Sequence, residues 1–138
     1  MKYLIAFFIL ITFSYCNSKT EQIVVINQNN KEFETVKMDT IKMNKAKAVI
    51  KAKALNTGVG DKYLYQKIEV LEVIKNNTNF IFKDTLIVAH YSWKLGVPLG
   101  KECIIYLTPW PYGSESLNEE KQWMLLDGDG EYACEIQK

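Results

Sequence analysis

Apolar and polar positions along this chain follow two patterns. Tyr3 to Phe13 (YLIAFFILITF) is almost unbroken apolar sequence directly behind Met1-Lys2. Residues 17–45 are then polar, interrupted only by Ile23-Val24-Val25-Ile26. From Ala46 a period of two sets in: Ala46, Ala48, Ile50, Ala52 and Ala54 alternate with Lys45, Lys47, Val49, Lys51 and Lys53. That is the pattern of a half-buried strand. Ala and Lys also suit a helix, but a helix would spread these lysines around its whole circumference. Asn56–Asp61 is a turn cluster. Tyr63 to Ile74 (YLYQKIEVLEVI) predicts a longer strand. Its apolar phase switches between Leu64, Ile68, Val70 and Leu71, Val73, as at a β-bulge.

Further strands are expected at Phe80–Phe82, at Thr85–Tyr91 and at Cys103–Leu107, the last apolar on both faces and therefore central. Trp123–Leu126 and Tyr132–Ile136 complete the set, with Asp127-Gly128-Asp129-Gly130 expected to join them as a hairpin turn. Short strands punctuated by turns, with no amphipathic helix, predict an all-β fold: a small barrel over residues 46–138. Residues 17–45 are expected to form a polar tether with an edge strand, because they hold too little apolar material for a domain of their own.

The N-terminal run is roughly 11 residues long, short of the roughly 20 that span a bilayer and typical of an export signal. Phe13-Ser14-Tyr15-Cys16 followed by Asn17-Ser18-Lys19 resembles a bacterial lipoprotein signal. That resemblance implies cleavage before Cys16, lipidation of its sulfur, and a membrane-anchored lipoprotein of the cell envelope, with residues 1–16 as the signal peptide. The residues also allow ordinary cleavage after Ser18 and a periplasmic or secreted soluble protein.

The order of features over residues 46–136 resembles the netrin/TIMP-like branch of the OB-fold. The residues that carry it are AKAVIKAKAL, the Y-x-Y…V-L-E-V-I-K strand, T-L-I-V, and G-K-E-C-I-I-Y-L behind a Gly-containing loop. It implies an OB-like β-barrel. Inhibitor members of that family chelate a protease metal through an N-terminal Cys. The domain here starts without one, so protease inhibition does not carry over.

Charge and chemistry narrow the function. Among charged residues, removal of the signal takes only Lys2, leaving 16 lysines against 16 carboxylates. That balance gives no steering toward nucleic acid. The chain contains no Arg, which excludes bidentate guanidinium sites. His90 is the only histidine. A hydrolase would have to use it, yet no G-x-S-x-G elbow accompanies it. No His/Cys set suggests a transition metal or cofactor. A calcium loop counted from Asp127 fails, because Tyr132 and Lys138 stand where Gly and Glu are required. Glu115, Glu119 and Glu120 lie in a polar loop that fixes no spacing.

Cys103 and Cys134 form an even pair in an exported domain and are candidates for a disulfide. Tyr91, Trp93, Trp110 and Tyr112 flank two loops and are the candidate binding residues, able to anchor a partner or to plug the barrel. The expectation is a non-enzymatic envelope domain that binds a partner, most plausibly a protein. The rivals are a hydrolase using His90 and a purely structural envelope component.

Overall fold

The structure, a computed structural model, describes residues 21–26, 34–110 and 123–137, with side chains from Met38 onward. Cys16, Tyr112 and the Glu115–Glu120 loop lie outside the described residues, as does the expected export signal.

A closed five-stranded barrel forms the centre, as the alternation predicts. Its order is β3 (Ala48–Ala54), β5 (Tyr63–Asn76), β6 (Thr85–Tyr91), β8 (Trp123–Leu125) and β7 (Glu102–Pro109), with β7 closing back on β3. All pairings are antiparallel except β6 with β8. The short β4 (Val59–Gly60) pairs with β5, and β9 (Cys134–Ile136) pairs with β7. The two register shifts between β3 and β5, at Val49/Ile50 and Lys51/Ala52, are the bulges expected in the long strand. They bend β5 around the barrel, while Leu71 and Val73 stay exposed.

Three expectations are corrected. Phe80–Phe82 is not a strand. Its two phenylalanines instead pack on Trp123, with ring centroids 5.5 and 5.2 Å away, and plug the base of the barrel. Trp123–Leu126 and Tyr132–Ile136 do not form a hairpin. β8 and β9 are both antiparallel to β7 and lie end to end along it, so they run in the same direction and no tight turn can join them. A 3₁₀ turn (Leu126–Gly128) and the helix α2 (Gly130–Ala133) make the connection. Asp127 and Gly128 both take left-handed backbone angles there, with φ 57° and 65°, which Asp and Gly tolerate better than other residues. Tyr132 and Ala133 thus belong to a helix.

The third correction concerns the later part of residues 17–45, since the edge strand expected at Ile23–Ile26 is present within β1 (Glu21–Ile26). Residues 17–45 contain an antiparallel ribbon, β1 with β2 (Glu34–Asp39), and the helix α1 (Thr40–Lys45). Asp39 caps α1, its Oδ1 accepting from the N–H groups of Ile41 and Lys42. Lys75 Nζ donates to the carbonyls of Met43 and Ala46 at the other end. Met38 is buried in the core and Met43 packs against it. The core therefore reaches back beyond Ala46, and α1 is docked to the barrel.

That docking explains why β3 and β7 are buried on both faces. Ala48, Ile50, Ala52, Cys103, Ile105 and Leu107 share the inner side, and the outward Val49, Ile104 and Tyr106 are equally inaccessible. Outside them, Asp39 N–H donates to Tyr106 Oη (3.0 Å), which donates to Glu135 Oε2 (3.1 Å). Lys42 pairs with the other oxygen of Glu135 at 3.3 Å and lies over the Tyr106 ring. Burial and the Glu135 charge push the Tyr106 phenol well above its ordinary range. Lys51, pointing the same way, pairs with Glu102 at 3.2 Å.

Candidate functional site

The candidate aromatics lie on the opposite wall. The register Tyr63↔Tyr91, Leu64↔His90, Tyr65↔Ala89 divides β5 and β6 into two sets. Because strand side chains alternate, Tyr63, Tyr65, Ala89 and Tyr91 face outward, and Leu64, Gln66, Val88 and His90 face inward. Trp110, just beyond β7, packs edge-on to Tyr63 at 4.7 Å and lies 6.0 Å from Tyr65. Only 9% of it is exposed, so it covers these tyrosines and offers no free platform of its own. Trp93 differs. Its ring stacks on Tyr91 at 4.7 Å and 14°, and 64% of the residue is exposed.

The structure thus brings Tyr91, Trp93 and Trp110 into one aromatic cluster. It also adds Tyr63 and Tyr65, which no sequence reading singled out. Their Y-x-Y spacing, one face of one strand, was the available signal. Lys62 Nζ lies 5.5 Å from the centre of the Tyr63 ring.

Beneath Trp93 is the mouth of the barrel, closed by loops 55–60 and 92–100. Both loops press glycine onto the same two buried polar residues. A Cβ on Gly96 would collide with Gln66 Oε1 and His90 Nε2, and one on Gly58 would lie 3.1 Å from Gln66 Cγ. Gln66 satisfies the loops' backbone: its amide donates to the carbonyls of Asn56 and Val97, and its oxygen accepts from Val97 N–H at 2.7 Å. His90 is 2% exposed. Its Nδ1 donates to the Tyr91 carbonyl (2.9 Å), and its Nε2 has no hydrogen-bond partner. No Ser, Cys or carboxylate hydrogen-bonds its ring among the described residues.

Loop 92–100 is held from the far side as well. Lys94 pairs with Asp129 at 3.0 Å, Gly130 N–H donates to the Leu95 carbonyl, and Asp129 caps α2 through Glu131 N–H. Burial pulls the Asp129 carboxyl up. The hydrogen bonds from Lys94 and Glu131 N–H and the Lys94 charge outweigh it and hold that carboxyl below its ordinary range. The loops therefore stand fixed while Leu55, Val59, Trp93, Leu95 and Leu99 remain exposed.

Cys103 and Cys134 face the interior near this mouth. They are on neighbouring strands but diagonal, since Cys103 pairs with Ile136 and Ile105 with Cys134. Diagonal neighbours sit farther apart than directly opposed ones, and the structure holds both residues as free thiols. Burial pushes both thiols up, which keeps them protonated and poor nucleophiles. Among the described residues no group of His, Cys, Asp and Glu has the arrangement of a metal site, and no helix is long and apolar enough to cross a membrane. What the arrangement offers chemically is a rigid apolar rim with one flat, stacked indole. No family model, curated protein or solved structure matches the chain.

Proposed function

We propose that this chain is an envelope lipoprotein, anchored through Cys16, whose barrel binds a protein partner at the mouth and performs no catalysis. The observation that carries this reading is Trp93, held flat against Tyr91 yet 64% exposed, among four exposed aliphatic residues on two braced loops. An indole with no covering group among the described residues leaves apolar surface in water. Binding hot spots favour such preorganised aromatic anchors ringed by apolar contacts. His90 supports no rival chemistry in this reading, because Gly96 packs directly on its free nitrogen. The kinship with netrin/TIMP-like domains belongs to the same proposal and rests on the strand sequences alone.

The test is affinity capture from detergent-solubilised envelopes with wild type and Trp93→Ala side by side. The reading expects a protein retained by wild type and lost with the variant, the melting temperature being unchanged. Equal retention by both would remove the mouth as the binding surface. A hydrolytic activity abolished by His90→Ala in a folded protein would overturn the non-enzymatic assignment.

A further inference from the structure

The mouth of the barrel combines exposed apolar side chains with bare backbone on one face. Four links fix that face. Gln66 binds the backbone of both loops, at Asn56 and at Val97. Leu99 bridges to Ala54, next to Leu55. Ser92 N–H donates to the Lys62 carbonyl, which sets Trp93 beside the turn between β4 and β5. A Cβ on Gly58 would lie 3.6 Å from His90 Nε2, and one on Gly96 2.7 Å from the same atom, so the two glycines meet over one ring. Leu55, Val59, Trp93, Leu95 and Leu99 surround these glycines in sequence and are 46–76% exposed. Gly58 and Gly96 are half-buried and carry no side chain. The face is therefore an apolar ring, with Trp93 as its largest member, around a floor of backbone.

Area and charge both bear on what covers it. The five apolar residues leave on the order of 500 Å² in water, near the top of the roughly 300–600 Å² that the largest patch of a monomer exposes. A stable interface buries about 800 Å² per partner, which this patch and its polar surroundings together supply. Those surroundings carry both signs. Asp61 stands next to Lys62, Lys94 pairs with Asp129 at 3.0 Å, and Lys67 and Lys101 are matched by Asp127 and Glu131.

We infer that the occupant of the mouth is a second copy of this chain, docked about a two-fold axis with Trp93 of each copy on the glycine floor of the other. The inference rests on the reading of the mouth as the binding surface and names its partner. A two-fold contact needs both halves of the fit on a single patch, because residue i meets j and j meets i. The mouth has both, a flat indole and a floor without side chains. A rim of one sign would repel its own copy, whereas a mixed rim sets lysine against carboxylate.

The experiment is sedimentation equilibrium of the full chain purified from envelopes, over a wide range of concentration, with detergent micelles in large molar excess. Wild type should pass from monomer to dimer, and amides 57–60 and 93–99 should exchange more slowly in the dimer. Trp93→Ala should keep its melting temperature. Paired with labelled wild type it has lost one anchor of two and should bind about 30-fold more weakly; paired with itself it has lost both and should weaken by roughly the square of that factor. Leu95→Ser, on the same rim, should weaken the dimer by a smaller factor.

A wild type that stays monomeric while affinity capture retains a different protein would overturn the inference and leave the mouth as a binding surface. A monomer from which capture retains nothing would overturn both. A dimer that neither variant weakens would place the contact elsewhere and overturn the inference. So would a mixed pair as tight as wild type, which is the signature of a head-to-tail contact.

Discussion

Two walls of one barrel treat the same strand pattern differently. On β3 and β7 the outward residues Val49, Ile104 and Tyr106 are completely buried beside β2 and α1. On β5 and β6 the outward residues Tyr63, Tyr65 and Tyr91 remain partly exposed, with Trp110 packed on Tyr63 and Tyr65. Period-two alternation decides which side chains share a face. It does not decide whether the outer face meets water, because that depends on what the rest of the chain lays over it. The first wall is built for stability. The second keeps a surface in reserve, and the mouth loops extend it.

Substitutions on the two walls should therefore separate cleanly. The largest loss is expected at Ile104, which has no exposed surface. Ile104→Ala removes apolar contacts on the covered face and should cost about 2–5 kcal/mol of unfolding free energy, read from urea denaturation midpoints. A loss no greater than that of an exposed residue such as Leu95 would mean that the N-terminal segment does not cover this wall.

Tyr106→Phe comes next. The ring stays, but Asp39 N–H loses its acceptor and Glu135 one of its donors. An unmade hydrogen bond in a buried setting costs about 1–3 kcal/mol. Because this hydroxyl joins the α1 region to β9, amide exchange in α1 should speed up more than exchange in β6. Uniform acceleration would show that the two regions unfold only together.

Much of this architecture was legible in the chain. The alternation in Ala46–Ala54, the long Tyr63–Ile74 strand with its phase switch and the doubly apolar Cys103–Leu107 strand each announced their role, since a strand's burial is written in its own side chains. What could not be read was the direction of β9. The Asp127-Gly128-Asp129-Gly130 cluster signals a reversal, and the left-handed pair at Asp127 and Gly128 is indeed there. A turn signal is local, however, and strand pairing is not: which side of β7 receives the last strand is settled by packing. The cap at Asp39 was visible in principle, as Asp directly before Thr40-Ile41-Lys42, but a six-residue helix has no periodicity to draw attention to it. For the candidate site, Tyr91 and Trp93 were singled out from sequence as loop-flanking aromatics, and the structure stacks them on one another. The burial of Trp110 was not, because its covering position arises from tertiary contact with Tyr63 and Tyr65.

A smaller effect should appear at Asp129, where the mouth loop is fastened to α2. Its carboxyl is held below the ordinary range, near 3.9 for a free Asp, so its ionised form is favoured in the folded protein. Stability from this group is present above the ordinary value and fades as pH falls through the lowered one. Asp129→Asn should cost no more than about 1 kcal/mol at pH 7, since the Lys94 partner is substantially exposed. The gap between variant and wild type should close as the pH falls through the lowered value. A gap that persists in acid would show that the Lys94 charge pair is not what Asp129 contributes to stability.

The smallest effect on stability is expected where the effect on binding is greatest. Trp93 is stacked on Tyr91 but stands on a loop fastened independently of it, by Lys94 to Asp129 and by Gly130 N–H to the Leu95 carbonyl. Removing the indole exposes one face of Tyr91 and opens no cavity in the core. Trp93→Ala should leave the unfolding free energy within about 0.5 kcal/mol of wild type. An interfacial Trp that acts as an anchor contributes about 2 kcal/mol or more to binding, so affinity for the partner should fall by a factor of about 30 or more. The comparison of the two walls breaks if these outcomes are exchanged. A destabilisation as large as that of Ile104→Ala, with binding intact, would make Trp93 part of the fold and return the mouth to the role of a plug. A stable variant that no longer binds would identify the exposed indole as the anchor.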